Sequence, residues 1–161
     1  MEAPIFCIVD VQPRFDAAIY VVDEIVRCVN LFRHMDSPIV VVEYSTAGET
    51  YEPIMSALDG YSKLYRVTKN QDNGSYEVAK ALVDVPSNRI IMAGVNTCYC
   101  VRDTACGLIS NHRYKVQLAA KALQVCMYAC MYVCMYECMY VCMYVCMYVC
   151  MYVCMYVCMY V

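Results

Sequence analysis

Residues 89–105 read R-I-I-M-A-G-V-N-T-C-Y-C-V-R-D-T-A and contain the strongest structural signal in the chain. The apolar run Ile90–Ala93 predicts a buried strand, Gly94 ends it, and a helical pattern begins around Tyr99 after a turn. Cys100 therefore falls in the first turn of a helix that follows a strand. The unpaired N–H groups and the positive dipole end of such a helix favour thiolate over thiol. The sequence thus predicts an activated nucleophile at Cys100.

The first 125 residues alternate strand-like and helix-like segments around this unit. Continuous apolar runs predict strands at Ile5–Val9, Ile39–Val42, Leu64–Val67, Ile90–Ala93 and Tyr114–Leu118. Amphipathic spacing predicts helices at Ala17–Met35, Glu52–Leu58, Tyr76–Val83 (capped by Ser75) and Tyr99–Ser110. Strands that are apolar throughout are typical of a parallel sheet covered on both faces. The pattern predicts an α/β protein with a three-layer αβα, Rossmann-like fold.

Reactive side chains follow three of these predicted strands. Asp10 follows the first strand, Lys69 the third and Cys100 the fourth, and ligands of parallel sheets bind at the carboxyl ends of the strands. Together they could form a nucleophilic site in which Asp10 moves the thiol proton and Lys69 holds the thiolate. Backbone N–H groups near residues 96–100 could hold an oxyanion. Taken singly, each residue has an ordinary alternative: a buried apolar thiol, a solvated lysine and a turn-forming aspartate.

Composition excludes some classes of function. The chain has 161 residues and a net charge of −3, so it lacks the basic surface of a nucleic-acid-binding protein. The opening Met1–Pro4 lacks the features of a secretory signal, and we expect a cytoplasmic protein. In that reducing compartment the cysteines before the repeat are expected to be free thiols: Cys7, Cys28, Cys98, Cys100 and Cys106.

Three motifs carry a family resemblance. I-V-D-V-Q (8–12), V-T-K (67–69) and A-G-V-N-T-C-Y-C-V-R-D-T-A (93–105), in this order, resemble the isochorismatase-like cysteine hydrolases, the superfamily that includes nicotinamidases. The resemblance covers roughly residues 4–120. It implies that Asp10, Lys69 and Cys100 form the catalytic triad.

The resemblance also implies finer features of the site. It selects Cys100 over Cys98 as the nucleophile, because the reactive cysteine precedes the V-x-x-T-A element. It implies a cis peptide bond between Val95 and Asn96 that directs backbone N–H groups at the oxyanion, a costly arrangement for a non-proline bond.

The implied reaction is hydrolysis of a small amide, ureido or carbamoyl C–N bond through a thioester. We assign Gln12, Phe15 and Tyr44 to the substrate pocket, and expect the loops Ser45–Thr50 and Asn70–Gly74 to line it. The partner is a small-molecule substrate, and members of the superfamily often form homo-oligomers.

One departure concerns metal. Nicotinamidases carry an aspartate and histidines after the second strand, whereas here residues 42–48 read V-E-Y-S-T-A-G. The only histidines, His34 and His112, are isolated and lack ligand spacing. We therefore expect no metal and no cofactor, and a reaction other than that of a nicotinamidase.

Residues 126–161 form a near-perfect Cys-Met-Tyr-Val repeat that we treat as a separate tail. Its last twenty-four residues are uncharged, long enough for a membrane anchor, and its cysteines could bind soft metals in a helix. Because the superfamily's domain continues past the fifth strand, the repeat implies that residues 1–125 are a C-terminally incomplete domain. The alternative function is an inactive homologue whose tail drives self-association or membrane attachment.

We favour a genetic origin for the tail. Cys-Met-Tyr-Val can be encoded as TGT-ATG-TAT-GTA, a tandem repeat of TGTA, and both exceptions, Ala129 and Glu137, need one base change from GTA. The hypothesis predicts that sequencing the gene will reveal an unbroken TGTA tract. Synonymous codons such as TGC, TAC and GTG scattered through the tract would contradict it.

Overall fold

The computed structural model describes residues 3–123, and only the backbone of residues 16 and 17. It confirms the α/β class: five strands form one sheet with four α-helices packed on it. The strands are β1 (Ile5–Val9), β2 (Ile39–Tyr44), β3 (Leu64–Lys69), β4 (Arg89–Gly94) and β5 (Lys115–Leu123). The helices are α1 (Val22–His34), α2 (Glu52–Ala57), α3 (Ser75–Ala81) and α4 (Arg102–His112).

All strand pairs are parallel, in the order β3-β2-β1-β4-β5. The order reverses between β1 and β4, which pair from Ile5 with Ile90 to Val9 with Gly94. At such a switch point the following connections leave on opposite faces, so a crevice opens at the carboxyl ends of the two strands. The residues after Val9 and Gly94 therefore face this crevice.

Apolar side chains fill both faces of the sheet. Phe6 and Ile8 of β1 pack on one face against α1, where Phe6 stacks on Phe32 with ring centroids 4.6 Å apart. Cys7 and Val9 point to the opposite face and pack in a cluster that includes residues of α3 and α4. Alternate residues of one strand thus enter two cores, which explains why β1 is apolar throughout.

The predicted helix 17–35 is divided in the structure. Residues 16–21 form a 3-10 turn and α1 begins only at Val22. A three-residue period places Ala18 and Val21 on the same buried side while Ile19 and Tyr20 face solvent, 52% and 80% exposed. α3 begins one residue earlier than predicted: Ser75 is its first residue, and Gly74 is the N-cap in place of Ser75.

Other expectations concern residues outside this range. The repeat and the predicted boundary at 125/126 lie beyond residue 123, so both stay predictions. Within residues 3–123, none of the helices has the length and apolar character needed to cross a bilayer.

Because Gly94 has no side chain, the backbone at the end of β4 can lie against the backbone of Val9 at the end of β1. Its φ is +140°, and a Cβ placed there would lie 2.1 Å from the carbonyl oxygen of Val9. That same oxygen accepts a 3.1 Å hydrogen bond from the N–H of Val95. The close approach therefore fixes the entry of the next turn against β1.

We predict that Gly94→Ala destabilises the protein by at least about 2 kcal/mol, because the methyl group would collide with backbone and the φ is unfavourable. Urea unfolding followed by circular dichroism measures the change. Gly60→Ala is the matched control, since Gly60 also has a positive φ of +65° but a methyl group there would meet nothing within 4 Å. Equal losses in the two variants would contradict the steric argument.

Candidate active site

The side chains of Asp10, Lys69 and Cys100 lie together at the carboxyl edge of the sheet. The Nζ of Lys69 is 2.9 Å from Oδ2 of Asp10, and both side chains are completely buried. Cys100 is 2% exposed, and its thiol is close enough to Asp10 for each group to shift the pKa of the other. The three strand ends thus place an acid, a cation and a thiol in contact.

The Lys69 ammonium is held on several sides. It donates hydrogen bonds of 3.1 Å to the carbonyls of Gln71 and Asp72, and it lies 4.8 Å from the ring centroid of Tyr44. With Asp10 beside it, the ammonium has oxygen neighbours for its three protons. Lys69 therefore acts as a fixed positive charge that also anchors the loop following β3.

Asp10 has a strained backbone and a poorly satisfied carboxylate. Its φ is +55°, a left-handed conformation that aspartate tolerates better than most residues. Although Lys69 is near, neither carboxylate oxygen receives a well-directed hydrogen bond from the described residues. Burial raises the pKa of Asp10, and this effect outweighs the opposing influence of Cys100 and Lys69. Such a carboxylate is a better proton acceptor than an ordinary one.

The environment of Cys100 differs from the prediction. The residue lies in a π-helical turn, Thr97–Val101, that precedes α4. Burial, and then the neighbouring Asp10, raise the pKa of the Cys100 thiol to about 12, although Lys69 opposes this. The expectation of a resting thiolate was wrong because desolvation and a carboxylate outweigh the helix end.

The expected cis peptide bond is absent. The described residues contain no cis peptide, so the bond between Val95 and Asn96 is trans. The chain turns instead through left-handed conformations, with Asn96 at φ +57° after Gly94 at +140°. Because the N–H of Val95 donates to Val9, it is not an oxyanion donor here.

Cys100 lines a cavity of about 380 Å³, and Asp10 and Lys69 lie buried behind it. Phe15 and Tyr44 were predicted for the pocket and do line it, whereas Arg14 and Tyr99 were not singled out from the sequence. The complete lining is Arg14, Phe15, Tyr44, Thr46, Asp72, Asn96, Tyr99 and Cys100. Cys98 is not among these residues. Thr46 and Asp72 come from the two loops that were expected to line the pocket.

Gln12 lies behind the cavity rather than in its wall. The side chain is fully buried, accepts a 2.7 Å hydrogen bond from the N–H of Tyr44 and donates to the carbonyls of Tyr44 and Gly48. These contacts use its amide, so the structure gives Gln12 a supporting role and corrects its assignment to the pocket. It holds the Tyr44 backbone where the ring covers Lys69.

Asp72 is the most informative residue that sequence reasoning missed. Its Oδ1 is 3.6 Å from the sulfur of Cys100, which donates to it. Its carbonyl accepts from Lys69 and, at 3.4 Å, from the hydroxyl of Thr104, which also binds the N–H of Gly74. The only sequence signal was an acidic residue three positions after the lysine.

The residues at the end of β2 do not fit the metal site that the resemblance implies for nicotinamidases. Glu43 accepts hydrogen bonds of 2.8 and 2.9 Å from the N–H and hydroxyl of Thr50 and pairs with Arg66 at 3.0 Å. Burial opposes ionisation of Glu43, but these partners outweigh it and lower the pKa. Across residues 3–123 no three His, Cys, Asp or Glu side chains are grouped to hold a metal ion.

Solved structures of similar fold are numerous. The nicotinamidase SaPncA from Staphylococcus aureus has a TM-score of 0.70 at 18% identity, over 83% of this chain and 94% of that one. The N-carbamoylsarcosine amidase from Thermoplasma acidophilum has a TM-score of 0.67 at 17% identity, over 84% and 92%. MAR1 ribonuclease from Caenorhabditis elegans has a TM-score of 0.67 at 15% identity, over 76% and 66%. At these identities the likeness shows the fold alone.

Sequence comparison gives the family directly. No curated protein sequence matches the chain significantly. The family model described as the isochorismatase domain, however, matches residues 4–127, which include all five strands and the groups at their carboxyl ends. The chain therefore belongs to the isochorismatase family.

Proposed function

We propose that the protein is a cysteine-dependent hydrolase of a small amide, ureido or carbamoyl compound. The observation that carries the proposal is the buried Asp10–Lys69 pair beside the Cys100 thiol at the wall of a cavity. Family membership and the likeness to a nicotinamidase and an N-carbamoylsarcosine amidase support C–N hydrolysis. The arrangement requires only the chain's own residues and water.

Acylation begins with proton transfer. The thiol of Cys100 rests protonated, so Asp10 takes its proton as the sulfur attacks the substrate carbonyl. Lys69 stabilises the negative charge on sulfur during this step. The resemblance implies that backbone N–H groups near Cys100 hold the oxyanion, and the N–H of Tyr99 is not one of them, because it donates to the carbonyl of Asn96.

The same acid completes the cycle. Asp10 returns the proton to the leaving nitrogen, the C–N bond breaks, and the acyl group stays on sulfur as a thioester. Water then attacks the thioester while Asp10 accepts its proton, and the released thiolate regains that proton. The raised pKa of Asp10 suits both directions of transfer, because a carboxyl that protonates readily can serve as base and then as acid.

We predict that Cys100→Ser lowers ammonia release from the substrate by at least about 1,000-fold, because the less acidic hydroxyl cannot form the acyl-enzyme. The measurement is a screen of small primary amides, ureido acids and carbamoyl compounds with the full-length chain. Cys106→Ser, an exposed thiol on α4, is the matched control and should keep full activity. Undiminished ammonia release by Cys100→Ser would contradict the mechanism, and no release by any compound would favour the inactive alternative.

We predict that Asp72→Asn speeds alkylation of Cys100 by iodoacetamide at pH 8 by roughly twofold to tenfold. The substitution removes a negative charge 3.6 Å from the sulfur, which lowers the pKa of the thiol and raises the thiolate fraction. Mass spectrometry of the Cys100 peptide across pH 7–10 measures the rate. Asp84→Asn, at an exposed position beyond α3, provides the control. An unchanged or slower rate in Asp72→Asn would argue against electrostatic control of the thiol by this carboxylate.

A further inference from the structure

The cavity wall contains two charged side chains of opposite sign. Among the described residues that line it, only Arg14 and Asp72 carry charge. The buried charges behind the wall, Asp10 and Lys69, compensate one another. A ligand in the cavity therefore faces one positive charge, that of Arg14 after β1, and one negative charge, that of Asp72 beside the thiol.

Arg14 is oriented but not neutralised. Its Nη1 donates hydrogen bonds of 3.0 Å to both the carbonyl and the hydroxyl of Thr46, which fixes the plane of the guanidinium. In residues 3–123 no carboxylate forms an ion pair with it. Because a guanidinium presents five donors in a planar fork, those two contacts leave Nε and Nη2 free of Thr46. An oriented guanidinium of this kind matches a carboxylate or phosphate group.

Asp72 determines which end of a ligand approaches the thiol. Its carboxylate beside Cys100 repels an anionic group but accepts hydrogen bonds from amide or ureido N–H groups. The rings of Phe15, Tyr44 and Tyr99 supply apolar wall to the same cavity. A volume of about 380 Å³ is at the lower end of small-molecule pockets, so the ligand is small.

We propose that the cleft takes a small amide bearing a negatively charged group, with Arg14 binding the anionic end while the amide end lies between Asp72 and Cys100. This assignment of substrate class rests on the proposed hydrolase function. It makes Arg14 a specificity-determining residue that acts on binding of the substrate's remote end. The alternative is a structural role, in which Arg14 only stabilises the loop that carries Thr46.

The test compares two probes of equal length that differ by one charge, succinamate and succinamide. Each is titrated as a protectant of Cys100 against iodoacetamide at pH 9, with the full-length chain and mass spectrometry of the Cys100 peptide. We expect succinamate to protect at about tenfold lower concentration than succinamide. Arg14→Gln should abolish this preference, and Arg14→Lys should retain part of it because the charge remains while the fork is lost.

Controls separate recognition from a structural effect. Arg27→Gln changes an exposed arginine on α1 that pairs with Glu24 and is not among the residues lining the cavity, and it should leave the preference intact. A merely structural Arg14 would predict that Arg14→Gln weakens protection by both probes equally, which would overturn the proposal. Equal protection of the wild-type chain by both probes, or protection by neither, would also overturn it.

The two proposals can fail separately. Charge-selective protection without any ammonia release would keep the anion site and reject the hydrolase. Ammonia release that depends on Cys100 but not on Arg14, with neutral and anionic amides used equally, would keep the hydrolase and reject the anion site.

Discussion

The buried contact between Lys69 and Asp10 is the constraint around which the site is organised. Two charges removed from water are tolerated only when they face each other and their remaining protons find acceptors, and loss of one partner typically costs about 3–5 kcal/mol. Lys69 meets this requirement through Asp10 and two backbone carbonyls of the following loop. The same ammonium therefore stabilises the Asp10 carboxylate, positions the loop that carries Asp72, and lies beneath the ring of Tyr44.

Much of this architecture could be predicted from sequence because its signals are local. The five apolar runs became strands, with most boundaries shifted by two residues or fewer, and the parallel order placed Asp10, Lys69 and Cys100 at one edge. Long-range effects could not be read in this way. The pKa of Cys100 depends on burial and on Asp10, ninety positions earlier, so the local helix signal gave the wrong direction. The trans bond after Val95 is accompanied by positive φ angles at Gly94 and Asn96, and no residue pattern in the sequence specified this backbone path.

The identity between this chain and its structural neighbours is low. At 15–18% identity the likeness shows the shared fold, and the residues that line this cavity are known only from this chain. Glu43 illustrates the structural role of such residues, because it holds the Thr50 loop by hydrogen bonds and pairs with Arg66 of the neighbouring strand β3. Selectivity therefore depends on the side chains that line this cavity.

The two supports of the site are built differently. Strand pairing and the hydrogen bond from the N–H of Val95 to the carbonyl of Val9 bring Asp10 and the turn that carries Cys100 together through the main chain, which side-chain replacement leaves intact. The cleft walls, in contrast, are secured by exchangeable side-chain contacts such as that of Arg14 with Thr46. Over evolutionary time, point substitutions in the walls can therefore change which small compound the cleft binds while the buried Asp10–Lys69 pair and its main-chain support stay as they are.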